Sequence, residues 1–361
     1  MSVYTYVLIF IGGVLASFFL TDIVKKLAER WNFVDDPKKA PERKKQTKPI
    51  PLLGGIAIYI AFVGIILWLL PEITQGYLLA KHVIGICLAG GLLMVGGSLD
   101  DKYSLSPGIQ IFFPICAAII IVASGIGIDS VTNPLGGVIP LNQWQITLFT
   151  WNDLPYQFTL LADLFTLVWL LGAMYTTKIL DGLDGLVPGI TMIGGITIFF
   201  LSISQEVGQP ETGVLALVLA ATALGFLFWN FSPAKIYLGE GGALFAGFML
   251  GVLAILSGGK IATALLILGL PIIDVAWVII RRRWIEKRSI FSGDTLHLHY
   301  QLKKLGLKDR TIVLLFYLIT MLFGFSTLLV SGISKLFVLL GLIILSTGLL
   351  ITLYRKVKTI I

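Results

Sequence analysis

Asp181-Gly182-Leu183-Asp184-Gly185-Leu186 stands between two apolar runs, 161–180 and 188–204, each close to the length that crosses a bilayer as a helix. An ionised carboxylate in hydrocarbon is costly unless it faces water, a cation or a partner, so two acids at such a junction mark a functional site. The rest of the chain repeats the pattern. Hydrophobic residues make up 57% of the 361 and charged residues 13%, with a mean hydropathy of +0.93. That composition excludes a water-soluble enzyme and belongs to multi-span membrane proteins.

Apolar runs near 3–24, 51–70, 82–99, 109–128, 161–180, 188–204, 212–231, 241–258, 261–280, 311–332 and 335–354 predict an all-α polytopic fold of ten to eleven transmembrane helices. Residues 1–361 read as one domain with no internal repeat. The first run lacks a cleavage pattern and reads as a retained span rather than a secretory signal. If odd-numbered spans run inward, the inner segments carry 24 of the 27 Lys and Arg residues. That bias puts the N-terminus outside and the C-terminus in the cytoplasm. The net charge of +7 is thereby read as anchoring to membrane lipids and as affinity for phosphates, not for nucleic acid. The segment 129–160, with Asn133-Pro134-Leu135-Gly136-Gly137 followed by alternating β-formers, predicts a short hairpin on the outer face. Cys87 and Cys116 lie inside apolar runs and suggest neither a disulfide framework nor a zinc site.

The same alternation places Asp100-Asp101, Asp181 and Asp184, Glu240, and His297 and His299 at the cytoplasmic face. Asp181 and Asp184 are three apart and would share one face of a helix, with Gly182 and Gly185 allowing close approach. Carboxylates converging at one depth suit a hard cation such as Mg²⁺, completed by substrate phosphates. Either acidic pair alone serves equally well as a helix cap or a lysine partner. In Lys235-Ile236-Tyr237-Leu238-Gly239-Glu240-Gly241-Gly242, backbone N–H groups are open to a phosphate, or Glu240 to a metal. His297 and His299, at i and i+2, suit a loop near an anion better than a helical metal site. Arg281-Arg282-Arg283 precedes them, and Arg282 is grouped with the phosphate-binding candidates. Lys48, beside a rigid Pro-x-Pro and a Gly-Gly, is the substrate-phosphate candidate of the first basic loop. Asp274 reads as a partner for Arg281 or its neighbours, and His82 is given no role.

Five ordered stretches resemble one family. They are Pro49-Ile50-Pro51-Leu52-Leu53-Gly54-Gly55, Leu99-Asp100-Asp101, the Asp-Gly-Leu-Asp-Gly-Leu of 181–186, Leu238-Gly239-Glu240-Gly241-Gly242, and His297-Leu298-His299. Together they look like the polyprenyl-phosphate N-acetylhexosamine-1-phosphate transferases. The His-x-His pattern, after Phe291-Ser292-Gly293-Asp294, is similar to the WecA/TagO-like branch rather than to the triple-histidine loop of MraY. The resemblance implies transfer of an N-acetylhexosamine-1-phosphate, first of all GlcNAc-1-phosphate, from a UDP-sugar to undecaprenyl or another polyprenyl phosphate. UMP is released, Mg²⁺ or Mn²⁺ is required, and the lipid-linked pyrophosphate sugar feeds cell-envelope glycan synthesis. It further implies an inner-membrane location, a cytoplasmic active site and a homodimer.

By the same carry-over Asp100 is the base at the lipid phosphate, or part of its hold, with Asp101 beside it. Asp181 and Asp184 are catalytic and metal-side acids, Glu240 is a metal ligand, and His297, His299 and Lys178 grip phosphates. The chain departs from the pattern where the family has asparagines (Tyr175 and Lys178 here), an aspartate (Glu240), a serine (Ala243) and a further histidine (Tyr300). Lys178 would either hold a phosphate or neutralise Asp181. The alternatives are an MraY-like phospho-MurNAc-pentapeptide transferase, an inactive lipid- or nucleotide-binding homologue, and a transporter.

Overall fold

A computed structural model describes residues 1–37, 48–133, 137–151, 154–258, 261–287, 297–330 and 333–360. The expectations placed on 38–47, 134–136 and Phe291 to Asp294 lie outside the described residues.

Every apolar run is helical, because a segment without water as a partner must satisfy its own N–H and C=O groups. In chain order the helices are α1 (Val3–Arg30), α2 (Gly54–Trp68), α3 (Leu70–Ile73), α4 (Ala80–Tyr103), α5 (Pro107–Ala123), α6 (Leu160–Leu180) and α7 (Leu186–Ile203). They continue as α8 (Pro210–Asn230), α9 (Gly239–Leu256), α10 (Ile261–Ile267), α11 (Gly269–Ile280), α12 (Leu298–Lys304), α13 (Asp309–Leu329) and α14 (Ile333–Ile360). Among the described residues, eight helices are long and apolar enough to cross a membrane, and α2 and α5 are shorter apolar helices. The run 261–280 is not one helix. It breaks between α10 and α11 at Leu268, just before Gly269-Leu270-Pro271, where proline lacks the N–H that would continue the ladder. A π-helical stretch, Arg281–Glu286, then extends α11.

Helix α9 is the centre of the bundle. Of its hydrophobic window 94% is buried by protein, against 22% for α14, which leaves α14 to face lipid. Glycines let neighbours close on it: a Cβ at Gly97 of α4 would stand 2.0 Å from the Gly241 nitrogen, and one at Gly55 of α2 would stand 2.2 Å from the Gly242 Cα. The glycines around Glu240 therefore admit two helices to the start of α9.

The β structure lies outside the bundle. Strands β1 (Val34–Asp35) and β2 (Ile50–Pro51) pair antiparallel and close the first basic loop. Where one outer hairpin was expected there are two: β3 (Ser130–Thr132) with β4 (Val138–Pro140), and β5 (Gln145–Trp151) with β6 (Leu154–Thr159), the second carrying a register shift between Thr147 and Phe149. Both lie between α5 and α6, at the end of the bundle away from Asp181.

Candidate active site

Helix α6 ends at Leu180 and α7 begins at Leu186, with Gly185 in the left-handed region at φ +84°. Residues 181–185 are thus a turn, and the expected shared helix face of Asp181 and Asp184 does not exist. The two glycines that invited close approach also stop the helix. The turn is tied down from three sides. Ala234 N–H donates to Asp184 Oδ2 at 2.9 Å, and Gly185 N–H donates to Asn230 Oδ1 at 2.9 Å. Asn230 Nδ2 donates in turn to the Ile236 carbonyl at 2.9 Å, and the Tyr317 hydroxyl donates to the Gly185 carbonyl. Asn230 is buried and spends both ends of its amide on this tie.

The second acidic pair splits its duties. At the end of α4, Asp101 caps α9: both its carboxylate oxygens accept from Glu240 N–H, at 3.3 and 3.2 Å. That N–H is accordingly taken by protein rather than offered to a phosphate. Asp100 points to the other side, where its Oδ1 accepts from Leu105 N–H at 2.9 Å and from Gln110 Nε2 at 3.0 Å. Its Oδ2 lies 3.7 Å from Lys178 Nζ, and Lys178 donates to Gln110 Oε1 at 3.3 Å. Lys178 reaches further, to Glu240 Oε2 at 3.0 Å. It pairs with Glu240 and Asp100, not with Asp181 as one reading of the sequence allowed.

These elements enclose a cavity of about 290 Å³ lined by Asp101, Lys178, Asp181, Asp184, Glu240 and Asn230, with Asp35, Leu52 and the 237–239 segment at its sides. Asp100 is not among the lining residues; it stands behind Asp101. The segment 51–55 is fastened there by backbone bonds, with Tyr237 N–H donating to the Pro51 carbonyl (2.8 Å) and Gly54 and Gly55 N–H donating to Tyr237 and Leu238 (3.0 and 2.7 Å).

Asp181 is an exposed residue that lines this cavity. Protein packed around its carboxyl raises its pKa to about 8, with Glu240, Asp101 and Asp184 pushing it further in the same direction. Burial lifts Asp184 too, against the lowering effect of the Ala234 N–H. Acids that repel one another around open space are the donor set a hard cation would relieve. Among the described residues no group of three or more His, Cys, Asp or Glu side chains is placed to hold a metal ion by itself. Mg²⁺ in general is held by one or two carboxylates, with phosphate oxygens and water completing its shell.

The histidines reach the same end of the bundle. Asp274 of α11 accepts from Leu298 N–H at 2.8 Å and lies 3.0 Å from His297 Nδ1, so it holds the start of α12. Asp274 was expected to pair with Arg281 or its neighbours; His297 and the Leu298 N–H are partners the sequence did not suggest, and Arg281 stacks on Tyr354 at 4.5 Å. His299 is fully buried, its ring within contact of Gly182: a Cβ there would meet Nε2 at 2.5 Å. Burial, then His297 and Lys303, lower its pKa to about 3, so the ring is neutral. Neither histidine lines the cavity. Arg282 is buried in the π-helical stretch, and Lys48 is exposed; neither lines the cavity. Gln110 and Asn230 are the site residues that sequence reasoning passed over. The available signal was an amide near the end of an apolar run, weaker than a charge.

Glycosyl transferase family 4 matches residues 83–258, which hold every acid of the cavity except Asp35. A Bacillus subtilis (strain 168) protein named "Probable undecaprenyl-phosphate N-acetylglucosaminyl 1-phosphate transferase" is 33% identical over 347 residues, covering 94% of this chain and 89% of that one. The chain belongs to this transferase family. Another family member, the decaprenyl-phosphate N-acetylglucosaminephosphotransferase of Mycolicibacterium smegmatis (strain ATCC 700084 / mc(2)155), is 30% identical over 86% of this chain and 78% of its own. A phospho-N-acetylmuramoyl-pentapeptide-transferase of Chlamydia muridarum (strain MoPn / Nigg) is 29% identical over 80% of this chain and 85% of its own. As a glycosyl transferase family 4 protein, the chain brings acids from β1, the end of α4, the 181–185 turn and the start of α9 together at one end of the bundle.

Proposed function

We propose that this chain transfers N-acetylglucosamine-1-phosphate from UDP-N-acetylglucosamine to undecaprenyl phosphate or another polyprenyl phosphate. UMP leaves, and the lipid-linked pyrophosphate sugar enters cell-envelope glycan synthesis. The observation that carries the reading is the meeting of Asp101, Asp181, Asp184 and Glu240 in one cavity, in a chain whose relatives are named for this transfer.

Eleven apolar runs and the clustering of basic residues support a multi-pass protein of the inner membrane, N-terminus outside, with the cavity at the cytoplasmic face. Asp181, Asp184 and Glu240 would hold Mg²⁺ or Mn²⁺. The ion's chemistry is to draw off the charge of two phosphates that otherwise repel. The chain's own part is positional. Asp101 faces the cavity and takes the role of holding or deprotonating the acceptor phosphate. Asp100 and Gln110 behind it fix Lys178, whose charge faces incoming phosphate. His299, packed on Gly182, sets the turn that carries Asp181, and His297, held by Asp274, stacks on His299. Arg282 and Lys48 have the wider role of attracting anionic substrate to this face. A homodimer follows only from the family.

The test is UMP release by protein purified in detergent, with undecaprenyl phosphate present or absent and Mg²⁺ present or chelated. Release that requires both supports the transfer. Asp101→Asn, Asp181→Asn and Asp184→Asn are each expected to abolish it in a folded protein. Near-normal turnover in all three would refute the site, and turnover with UDP-MurNAc-pentapeptide alone would move the substrate to the peptidoglycan precursor.

A further inference from the structure

Among the described residues, one cation lines the cavity, Lys178, and it occupies an acid assigned to the metal. Glu240 Oε2 is buried from solvent and is paired with Lys178 Nζ at 3.0 Å. Lys178 is bracketed on its far side by Asp100 at 3.7 Å and Gln110 at 3.3 Å, so the ammonium is held in place rather than swinging in solvent. Glutamate, one methylene longer than the aspartate of the family pattern, carries the carboxylate out to the lysine.

We propose that Lys178 is a built-in competitor of the divalent cation for Glu240, which lowers the metal affinity of the substrate-free protein. The competition works in two ways. The ammonium neutralises the Glu240 carboxylate that would otherwise attract the ion, and its charge would repel a divalent cation held by Glu240. Arriving substrate phosphates give Lys178 another anionic partner and free Glu240. Metal binding is thereby made to depend on donor binding. This rests on the metal reading given above and deepens it.

Mn²⁺ binding measured by electron paramagnetic resonance on the purified protein, without substrates, tests the inference directly. Lys178→Met is expected to tighten Mn²⁺ binding by at least about tenfold, equivalent to about 1.4 kcal/mol. Lys178→Arg keeps the charge and is expected to stay within about threefold of the natural chain. In Lys178→Met with Glu240→Gln the gain is expected to vanish, because the effect runs through that carboxylate. Melting temperature in the same detergent separates misfolding from charge, and Lys178→Arg is the folded control should the methionine variant fail.

Binding in the natural chain that Asp181→Asn abolishes, but that Lys178→Met leaves unchanged or weaker, would overturn the competition and leave the metal site standing. If neither the natural chain nor Lys178→Met binds Mn²⁺ in an Asp181-dependent way, the metal reading falls and the competition with it. Saturating UDP-N-acetylglucosamine is expected to tighten Mn²⁺ binding in the natural chain more than in Lys178→Met. An equal gain in both would count against the coupling.

Discussion

Asn230→Ala tests whether the acidic turn is held by its neighbours. The side chain joins Gly185 N–H to the Ile236 carbonyl, both bonds 2.9 Å, in a position 3% exposed. Truncation removes both partners and leaves a donor and an acceptor unpaired. Each buried unpaired group costs about 1–3 kcal/mol, so the loss is about 2–6 kcal/mol if no water enters, and nearer the lower figure if the cavity side admits one. The turn bearing Asp181 and Asp184 then loses one of its anchors. A shift of about 1 Å in a catalytic group costs on the order of 100-fold in rate. Thermal unfolding in detergent together with kcat for UMP release measures both effects. Asn230→Asp keeps the acceptor toward Gly185 but opposes a carboxylate to the Ile236 carbonyl beside Asp184, and is expected to do no better than alanine. An alanine variant with unchanged melting temperature and kcat would refute the idea that this amide positions the turn.

Three further outcomes are expected. Because the pKa of Asp181 is raised to about 8, its protonated form is the one the metal-free fold favours. That stability is full below about pH 4 and is lost as pH rises to about 8, while Mn²⁺ affinity grows over the same window; a melting temperature without divalent ions that rises between pH 6 and 8 would contradict this. Gly97→Val drives a side chain into the Gly241 backbone, 2.0 Å from an ideal Cβ, and is expected to cut folded yield and activity, by at least about 1–3 kcal/mol of overpacking. Gly12→Ala, which meets nothing within 4 Å, is expected to be harmless, and equal behaviour of the two variants would remove the packing argument. Gly182→Ala presses on His299 Nε2 at 2.5 Å and is expected to raise KM for the UDP-sugar several-fold with little change in melting temperature; unaltered kinetics would separate the histidines from the acidic turn.

The helices and the acids were legible from the chain because the bilayer leaves few options. An apolar run of about 20 residues must hydrogen-bond to itself, and a carboxylate at its end stands out against a background of leucine and isoleucine. Asp101, Asp181, Asp184 and Glu240 were found that way, and so was Lys178. What each residue touches was not legible, because contacts depend on how helices far apart in sequence pack. Asp100 and Asp101 are neighbours in the chain, yet one caps α9 in the cavity and the other is turned back to Gln110. Helical phase and the approach of α9 to α4 across Gly97 decide between them. Asp181 and Asp184 have helical spacing, but Gly185 at φ +84° makes their segment a turn. Gln110 and Asn230 are uncharged, and their importance comes from their partners, which lie 5 to 68 residues away. The sequence alone determined which residue types reach the membrane boundary, since that is a matter of solvation along one chain. Only the tertiary structure decided which carboxylates face one another and that Lys178 sits on Glu240, since those follow from close packing around α9.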